Sequence, residues 1–419
     1  MTTEIKNINV IETKIQPKKS DKLIPSLRFS EFVGEWEKKL YGDIYSFYTT
    51  NSFSRDNLNY KIGEIKNIHY GDIHTKFSTL FDIEKELVPF INPEVNLDRI
   101  KNENYCQEGD LVIADASEDY QDIGKTIELV NLNGKKILAG LHTFLARPNK
   151  FQMKKGFSGY LVQSWKVRKQ VMVIAQGSKV LGIATGRLSK VKLDIPKLPE
   201  QEKIAKFLTS VDTKIQQLTR KKETLNQYKK GVMQQLFSQQ IRFKKNDGTD
   251  FPDWQEKKLG DIATKKSSNI SANAIEKNIG DYNLYGASGY LKSIDFFREE
   301  KAYISIVKDG AGVGRTLLCD AQSSVLGTLD IISPKIKVNL YFLYLILNNI
   351  QFKKYIIGST IPHIYFKDYS KENINIPSLK EQEKIATYLS AIDMKIAKVE
   401  TQISQSQTFK KGLLQQLFV

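Results

Sequence analysis

PEQEKIAKFLTSVDTKIQQLTRKKETLNQYKKGVMQQLF, Pro199–Phe237, decides the fold of this chain, because a closely related string closes the sequence. The second copy is KEQEKIATYLSAIDMKIAKVETQISQSQTFKKGLLQQLF, Lys380–Phe418, and each position maps onto its mate by adding 181. Over 195–237 and 376–418 the copies share 20 identities in 43 gapless positions. Only two copies occur and a long non-helical stretch separates them, so the repeat indicates a duplicated module and not a solenoid.

Apolar residues in both copies recur in steps of four and three, which is typical of helices that pair in a coiled coil. Proline precedes each copy and glutamate fills its first turn, as expected at a helix start. Each copy is predicted to be a helix of about 38 residues and about 57 Å, with the other copy as its antiparallel partner. One such stripe alone fits an ordinary core helix equally well, but two copies that each close a globular half favour a spacer. The predicted seam is Ile204, Leu208, Val211, Ile215, Leu218 and Leu225 against Ile385, Leu389, Ile392, Ile396, Val399 and Ile403.

A second repeat marks the start of each globular half, since Trp36–Ile44 returns as Trp254–Ile262. Short runs rich in β-branched residues and broken by turns follow in both halves, and each half then has an aromatic-rich helix, near 160–175 and 341–355. The predicted fold class is α+β: two globular domains of related topology joined by two long antiparallel coiled-coil helices, with an internal pseudo-twofold. The boundaries are a flexible tail at 1–22, domain 1 at 23–195, a central helix at 196–240, domain 2 at 241–376 and a C-terminal helix at 377–419.

The charge of the chain indicates a polyanionic partner. Lys and Arg number 63 against 47 Asp and Glu, a net charge of +16; a merely solvated basic surface is the alternative. Cys106 and Cys319 lie far apart without metal-ligand spacing, which predicts neither a disulfide framework nor zinc. The polar, lysine-rich start has no apolar run long enough for a signal peptide or a membrane span. We therefore expect a cytoplasmic protein that does not associate with a membrane.

No motif predicts an active site in this chain. Gly310–Thr316 superficially resembles a phosphate loop, but three residues separate Gly310 from Gly314 and Arg follows, so a tight turn between strands is favoured, with Asp122–Thr126 as its counterpart. The four histidines, His69, His74, His142 and His363, form no zinc pattern and have no evident nucleophile partner. No glycine-rich loop suits S-adenosylmethionine. We expect no catalytic residue, cofactor or metal in this chain.

Polar, basic and aromatic residues where the predicted strands end suit the reading of DNA, because such side chains supply donors and acceptors to base edges and phosphates. For any one of these residues a solvated loop is the commoner role, but as a set, in two duplicated domains of a basic protein, they favour contact with DNA. The candidates for DNA contact are Tyr70, His74, Lys76, Ser117, Tyr120, Gln121, Lys179 and Arg187 in the first half, and Tyr285, Ser288, Lys308, Arg315, Thr360, His363 and Tyr365 in the second.

The doubled helix motif resembles the two helical regions of type I restriction-modification specificity subunits. The resemblance rests on a Pro-x-Leu-x-Glu-Gln-Glu-Lys-Ile-Ala start, an Asp-x-Lys-Ile middle and a Lys-Lys-Gly-x-x-Gln-Gln-Leu-Phe end, and it extends over the whole chain from about Pro25. It implies two target recognition domains, each reading one half of a bipartite asymmetric DNA site, and helices that set the gap and dock two methyltransferase subunits. It also implies S-adenosylmethionine, ATP and Mg on partner subunits, including the restriction subunits that translocate and cleave DNA.

Two other functions are weighed against this non-catalytic DNA-recognition subunit. A self-sufficient DNA methyltransferase or nuclease is disfavoured by the missing catalytic motifs. A two-headed DNA-binding regulator fits the charge, but the sequence offers no helix-turn-helix pattern and no reason for the duplicated helices.

Overall fold

The computed structural model describes residues 22–419. The flexible tail predicted for residues 1–22 lies, except for Lys22, outside the described residues. The chain divides into two compact units. Unit 1 comprises the chain up to Leu218 together with Gln402–Val419, and unit 2 comprises Thr219–Thr401. Each unit therefore includes part of both long helices, and the domain boundaries drawn from the sequence stay a prediction.

Unit 1 is organised around a five-stranded sheet of order β2-β11-β7-β9-β5, in which β5 lies parallel to β9 and the other pairs are antiparallel. A four-stranded sheet of order β10-β4-β6-β3 and the pairs β1-β13 and β12-β8 complete it. Its strands are β1 (Glu37–Leu40), β2 (Tyr45–Tyr48), β3 (Leu58–Asn59), β4 (Ile65–Ile68), β5 (Leu80–Asp82), β6 (Phe90–Ile91), β7 (Leu111–Ala114), β8 (Ala116–Ser117), β9 (Thr126–Asn131), β10 (Lys136–Ala139), β11 (Thr143–Pro148), β12 (Leu181–Gly182) and β13 (Lys192–Ile195).

Among its described residues, unit 1 has five short α-helices, of which α2 contacts β7 and α3 contacts β9. The single helix predicted near 160–175 is wrong, because Ser164 adopts extended backbone with ψ 144° and divides it into two. The short helices are α1 (Tyr41–Ile44), α2 (Tyr70–Thr75), α3 (Ser158–Gln163), α4 (Trp165–Ile174) and α5 (Thr185–Leu188).

Unit 2 has a four-stranded antiparallel sheet of order β15-β21-β18-β19, a three-stranded sheet of order β17-β16-β20 and the pair β14-β22. The helix predicted near 341–355 ends at Asn349, and a 3-10 turn at Phe352–Tyr355 follows it. The elements are β14 (Gln255–Lys258), α7 (Leu259–Ile262), β15 (Ala263–Ser267), β16 (Tyr282–Gly286), β17 (Gly289–Ile294), β18 (Tyr303–Val307), β19 (Thr316–Cys319), β20 (Ser324–Val325), β21 (Leu329–Pro334), α8 (Leu340–Asn349), α9 (Phe366–Tyr369) and β22 (Asn373–Ile376).

The two predicted long helices are present as α6 (Leu198–Phe237), of 40 residues, and α10 (Leu379–Gln416), of 38. Proline at position 199 is tolerated because the first turn of a helix has no backbone acceptor for the missing N–H. Within unit 2, Lys222 pairs with Glu400 at 2.9 Å and Lys229 with Asp393 at 2.6 Å. The contact positions rise along α6 as they fall along α10, so the helices run antiparallel there.

The apolar face of the long helices is buried in the core of each unit. Unit 1 gathers Ile204 and Leu208 of α6 and Leu413 of α10 around Trp36 and Tyr160 of the globular part. Unit 2 does the same with Val232, Leu236, Ile385, Leu389, Ile392 and Ile396 around Phe342 and Tyr369. The predicted seam therefore faces the globular part as well as the other helix. Its members Leu218 and Val399 are also buried, whereas Val211, Ile215, Leu225 and Ile403 are half-buried.

The repeated motifs of the sequence make the same contacts in both units. In unit 1, Arg28 is 2.7 Å from Glu200 of α6, and the ring centroids of Trp36 and Phe418 are 6.2 Å apart. In unit 2, Arg242 is 2.9 Å from Glu381 of α10, and Trp254 and Phe237 are 6.2 Å apart. Both glutamates are nearly completely buried. The start of each globular part is thus held by a buried ion pair to one long helix and by an aromatic contact at the C-terminal end of the other, with Phe237 as the last residue of α6 and Phe418 just after α10.

Candidate nucleic-acid interface

Two loops carry most of the candidate residues of unit 1, and they lie side by side. They are the β7–β9 loop (115–125) and the 176–182 turn. Strand β8 of the first pairs with β12 of the second, with Ser117 opposite Leu181. Tyr120 and Gln121 are exposed on the β7–β9 loop, and Lys179 is exposed on the 176–182 turn. The structure therefore brings Ser117, Tyr120, Gln121 and Lys179 to one region.

Helix α2 adjoins this region through His74, whose Nε2 lies 3.0 Å from the carbonyl oxygen of Ala116. Tyr70 stacks edge-on with the His74 ring at 6.0 Å between centroids. Lys76 is exposed, and its amine pairs with Asp72 at 2.8 Å. The predicted candidates Tyr70, His74 and Lys76 are thus held by neighbours within the unit, with His74 closest to the β7–β9 loop. Arg187 lies on α5, where its guanidinium donates to the carbonyl of Ile174 at 3.4 Å.

The buried Asp72 organises the α2 region electrostatically. Burial favours the neutral acid, but the hydrogen bonds from Arg55 and Lys76 outweigh it and lower the pKa of Asp72. Arg55 donates two hydrogen bonds to this carboxylate, at 2.8 and 2.9 Å. Burial, helped by the charge of Arg55, lowers the pKa of the adjacent His69. The positive charges next to α2 are therefore fixed in place at neutral pH, and His69 is uncharged there.

Unit 2 presents an equivalent pair of loops. They are the β18–β19 loop (308–315) and the 357–363 turn, linked by a hydrogen bond from the amide of Gly310 to the carbonyl of Pro362 at 2.9 Å. Thr360 is exposed on the 357–363 turn, and His363 and Tyr365 follow with their ring centroids 5.2 Å apart. The structure therefore places Lys308, Arg315, Thr360, His363 and Tyr365 in one region.

Of the two remaining candidates of unit 2, Ser288 is brought beside this region by Arg315. The Nη1 of Arg315 donates to the carbonyl of Ala287 at 2.9 Å, which brings the β16–β17 turn and its exposed Ser288 beside the β18–β19 loop. Tyr285 donates its hydroxyl to Asp320 at 2.7 Å. Lys308 lies 3.5 Å from the buried Asp330, which neutralises it. Arg315 is thus the more available cation of the two.

The last residues of the turns before β9 and β19 correspond, Gly124–Thr126 with Gly314–Thr316, within the segments Asp122–Thr126 and Gly310–Thr316 that the sequence predicted to be counterparts. Gly124 donates its amide to Ala114 at 3.1 Å, and Gly314 donates to Val307 at 2.8 Å. Lys125 consequently occupies the place of Arg315, with its amine 2.7 Å from the carbonyl of His74. The sequence reading missed Lys125 as a candidate, although aligning the two glycine turns would have identified it.

The 176–182 and 357–363 turns both require glycine at their second position. Gly177 and Gly358 have φ of +132° and +87°, where residues with a side chain are strained. A Cβ added to Gly177 would lie 2.0 Å from the oxygen of Val180, and one added to Gly358 would lie 2.5 Å from that of Ile361. The turn is the same in both units, yet its exposed residues differ, with Lys179 in one and Thr360 at the matching place in the other.

The chemistry offered by these regions is that of hydrogen bonding, charge and stacking. Hydroxyl, amide, imidazole and guanidinium groups stand on exposed loops. Among residues 22–419, no group of three or more His, Cys, Asp or Glu side chains is placed to hold a metal ion. In the same part of the chain, no helix is long and apolar enough to cross a membrane.

Comparison with known proteins identifies the family. The family described as type I restriction modification DNA specificity domain matches residues 36–227 and 252–406. A Methanocaldococcus jannaschii protein assigned as the specificity subunit of type I restriction enzyme MjaX is 26% identical over 415 residues, covering 92% of this chain and 93% of the relative. The MjaVIII specificity subunit of the same organism is 25% identical over 289 residues, covering 61% and 68%.

Solved structures share the fold. The S subunit of a type I restriction-modification system from M. genitalium superposes with a TM-score of 0.63 at 15% identity, covering 94% of this chain and 99% of that one. A chain from a study of complex assembly in the type I restriction-modification system superposes with a TM-score of 0.50 at 14% identity, covering 90% and 96%. Since the family match spans most of both halves, this chain belongs to the type I restriction modification DNA specificity domain family.

Proposed function

We propose that this chain is the DNA-reading specificity subunit of a type I restriction-modification complex, in which each globular domain reads one half of a bipartite, asymmetric site. One observation carries the proposal: the contacts of the framework are repeated in both units, whereas the exposed residues of the loops differ. The Arg28–Glu200 ion pair has its equivalent in Arg242–Glu381. At matched loop positions, however, the residues differ: Lys125 of unit 1 corresponds to Arg315 of unit 2, and Lys179 corresponds to Thr360. A constant frame with two different loop sets suits two different half-sites.

The proposed partners are double-stranded DNA and two methyltransferase subunits, with restriction subunits in the full complex. The duplicated helices support the number two, because each unit offers a similar helix surface to an identical partner. On this proposal S-adenosylmethionine, ATP and Mg bind to the partners, the chain itself is non-catalytic, and the complex acts in the cytoplasm. The net charge of +16 supports contact with DNA.

The proposal is tested by exchanging one domain. Residues of about 45–176 are replaced by the corresponding segment of another family member, and the chimera is expressed with the methyltransferase subunit. We expect sequencing of modified adenines to show one half of the recognised site changed and the other half intact. A change in both halves, or DNA methylation by the purified chain alone, would contradict the proposal. Co-purification of the unaltered chain with the methyltransferase subunit separates this function from that of a regulator.

A further inference from the structure

An open cleft of about 210 Å³ lies against the β7–β9 loop of unit 1. One wall is the loop itself, and the other is formed where α3 passes into α4. The polar side chains that line it are those of Gln121, Asp122, Lys125, Thr126, Gln163 and Arg168. The cleft thus adjoins the exposed Tyr120 and Gln121. None of its lining residues belongs to the Trp36–Ile44 motif or to the long-helix repeat described above.

Arg168 is one of two cationic residues that line the cleft. Its Nη2 donates to the carbonyl of Gln121 at 2.8 Å, and within residues 22–419 it forms no salt bridge. Guanidinium carries five N–H donors, so most of them remain available to a ligand. Burial lowers the pKa of Arg168, against the opposing charge of Asp122. A half-buried cation without a carboxylate at salt-bridge distance is costly, and such groups occur preferentially at binding sites.

Lys125 adds a second cation. Its amine lies 2.7 Å from the carbonyl of His74 and 3.5 Å from Asp122. Asp122 is the one carboxylate that lines the cleft, so two cations against one anion leave a net positive charge. The amide of Gln163 is bound to the hydroxyl of Thr79 at 2.5 Å, which fixes that wall. A forked guanidinium and an amine, on two residues that line the same cleft, suit the non-bridging oxygens of a phosphate.

We propose that this cleft binds a backbone phosphate of the DNA that unit 1 reads, with Arg168 and Lys125 as its ligands. The inference rests on the proposed function and adds a defined contact to it. Phosphate contacts set the register of a protein on the duplex without reading its sequence. Arg168 would thereby position the β7–β9 loop on the DNA, while the exposed side chains of that loop meet the bases.

The contact is specific to unit 1. Asn349, at the end of α8, occupies the position 181 residues after Arg168, and it is exposed and uncharged. Unit 2 therefore retains the cation of the turn, Arg315, but has no guanidinium in place of Arg168. The two half-sites should differ in phosphate contacts as well as in bases.

The test uses the complex of the full chain with its methyltransferase subunits and a duplex that carries the methylated site found by sequencing. Phosphate ethylation interference on the unaltered complex locates the contacts. Arg168→Met should abolish interference at one phosphate in the half-site of unit 1. It should also reduce the slope of log K against log salt by about 0.9. Arg168→Lys should restore most of both, because it keeps the charge.

Lys169→Met is the matched control, since Lys169 is the exposed next residue of α4 and does not line the cleft. Lys125→Gln provides a second variant should Arg168→Met fail to fold, and it should weaken interference at the same phosphate. An Arg168→Met complex with the salt slope and interference pattern of Lys169→Met would overturn the inference. The inference would also be overturned if the cleft bound inorganic phosphate in calorimetry but Arg168→Met left the DNA measurements unchanged. If the unaltered complex neither binds nor methylates the duplex, the proposed function itself fails.

Discussion

Three side chains from separate segments meet at one point in each unit. In unit 1 the hydroxyl of Tyr160 donates to Asp212 at 2.9 Å, and Lys410 lies 2.7 Å from the same carboxylate. In unit 2, Tyr341 donates to Asp393, and Lys229 lies 2.6 Å away. The three members of one set are each 181 positions from a member of the other. The contact joins the globular part to both long helices, and a specific polar contact of this kind can fix the register of paired helices.

Removing the charge at this point should destabilise the chain. Asp212→Asn leaves Lys410, with 18% of its side chain exposed, without a counter-ion, and we expect a loss of about 1–3 kcal/mol in the free energy of unfolding. Glu400→Gln is the control, because its ion pair with Lys222 is more exposed and should be worth less than about 1 kcal/mol. Urea-induced unfolding measures both. Equal losses in the two variants would show that the contact of Tyr160, Asp212 and Lys410 stabilises the chain no more than the exposed ion pair does.

Glu128 predicts a pH dependence of stability. Burial raises the pKa of Glu128 to about 7, although the amides of Gly159 and Gly156 donate to its carboxylate. An acid whose pKa is higher in the folded than in the unfolded state binds more protons when folded. The contribution of Glu128 to the stability of the folded chain is therefore fully present below about pH 4.5, and it is lost as the pH rises from there through about 7.

We expect the melting temperature of the unaltered chain to fall relative to that of Glu128→Gln between about pH 5 and 8. The substitution has its own cost at every pH, because an amide N–H replaces one of two acceptors. The informative quantity is therefore the difference in melting temperature between the unaltered chain and Glu128→Gln, and this difference should become smaller as the pH rises. Parallel curves would mean that Glu128 is ionised throughout this range.

Helices and strands were predictable from the sequence where the apolar residues follow a clear pattern. The four-and-three spacing that includes Ile385, Leu389 and Ile392 indicated the long helices, and they are present. Runs such as Leu111–Ala114 indicated strands, because buried β-branched residues fit a pleated sheet. The division at Ser164 was not predictable, since α3 and α4 share one apolar pattern and only the tertiary packing selects extended backbone there.

The candidate site was predictable to a lesser degree. Loop residues such as Tyr120 and Thr360 were identified from their place after strands, and the structure puts them on exposed loops. Arg168 was missed because it lies within a helix, and its environment comes from a loop about 47 residues away in sequence. Contacts of that separation leave no local period. Two-residue strands such as β8 and β12 were missed for the same reason.

Aspartate substitutions in the apolar seam of α6 and α10 should destabilise the chain according to how deeply each residue is buried. Ile396→Asp should cost several kcal/mol, because this side chain is 8% exposed and packs in the core of unit 2, where a charge would have no partner. Ile215→Asp should cost less, since Ile215 is half-buried and its substitute can reach water. Melting temperatures compare the two. A larger loss for Ile215→Asp than for Ile396→Asp would contradict this order of burial.

For the whole molecule, we predict that the long helices act as a ruler for the gap between half-sites. Four residues inserted after Thr219 would lengthen α6 by about 6 Å and nearly complete one turn. The antiparallel pairing requires a matching insertion in α10, after Gln402, so that Asp212–Lys410 and Lys229–Asp393 are both kept. The inserted segments must continue the apolar seam, or they will bulge and absorb the added length.

Because one base-pair step is about 3.4 Å, we expect methylation of the same two half-sites with a gap longer by one or two base pairs. Sequencing of modified adenines in cells that express the variant with its methyltransferase subunit measures the gap. An insertion in α6 alone is the control. It shifts one helix against the other by a full turn, so the two ion pairs cannot both form, and we expect a less stable chain without a uniform new gap. Retention of the original gap in the doubly extended chain, with both half-sites still read, would assign the spacing to the methyltransferase subunits and not to the helices.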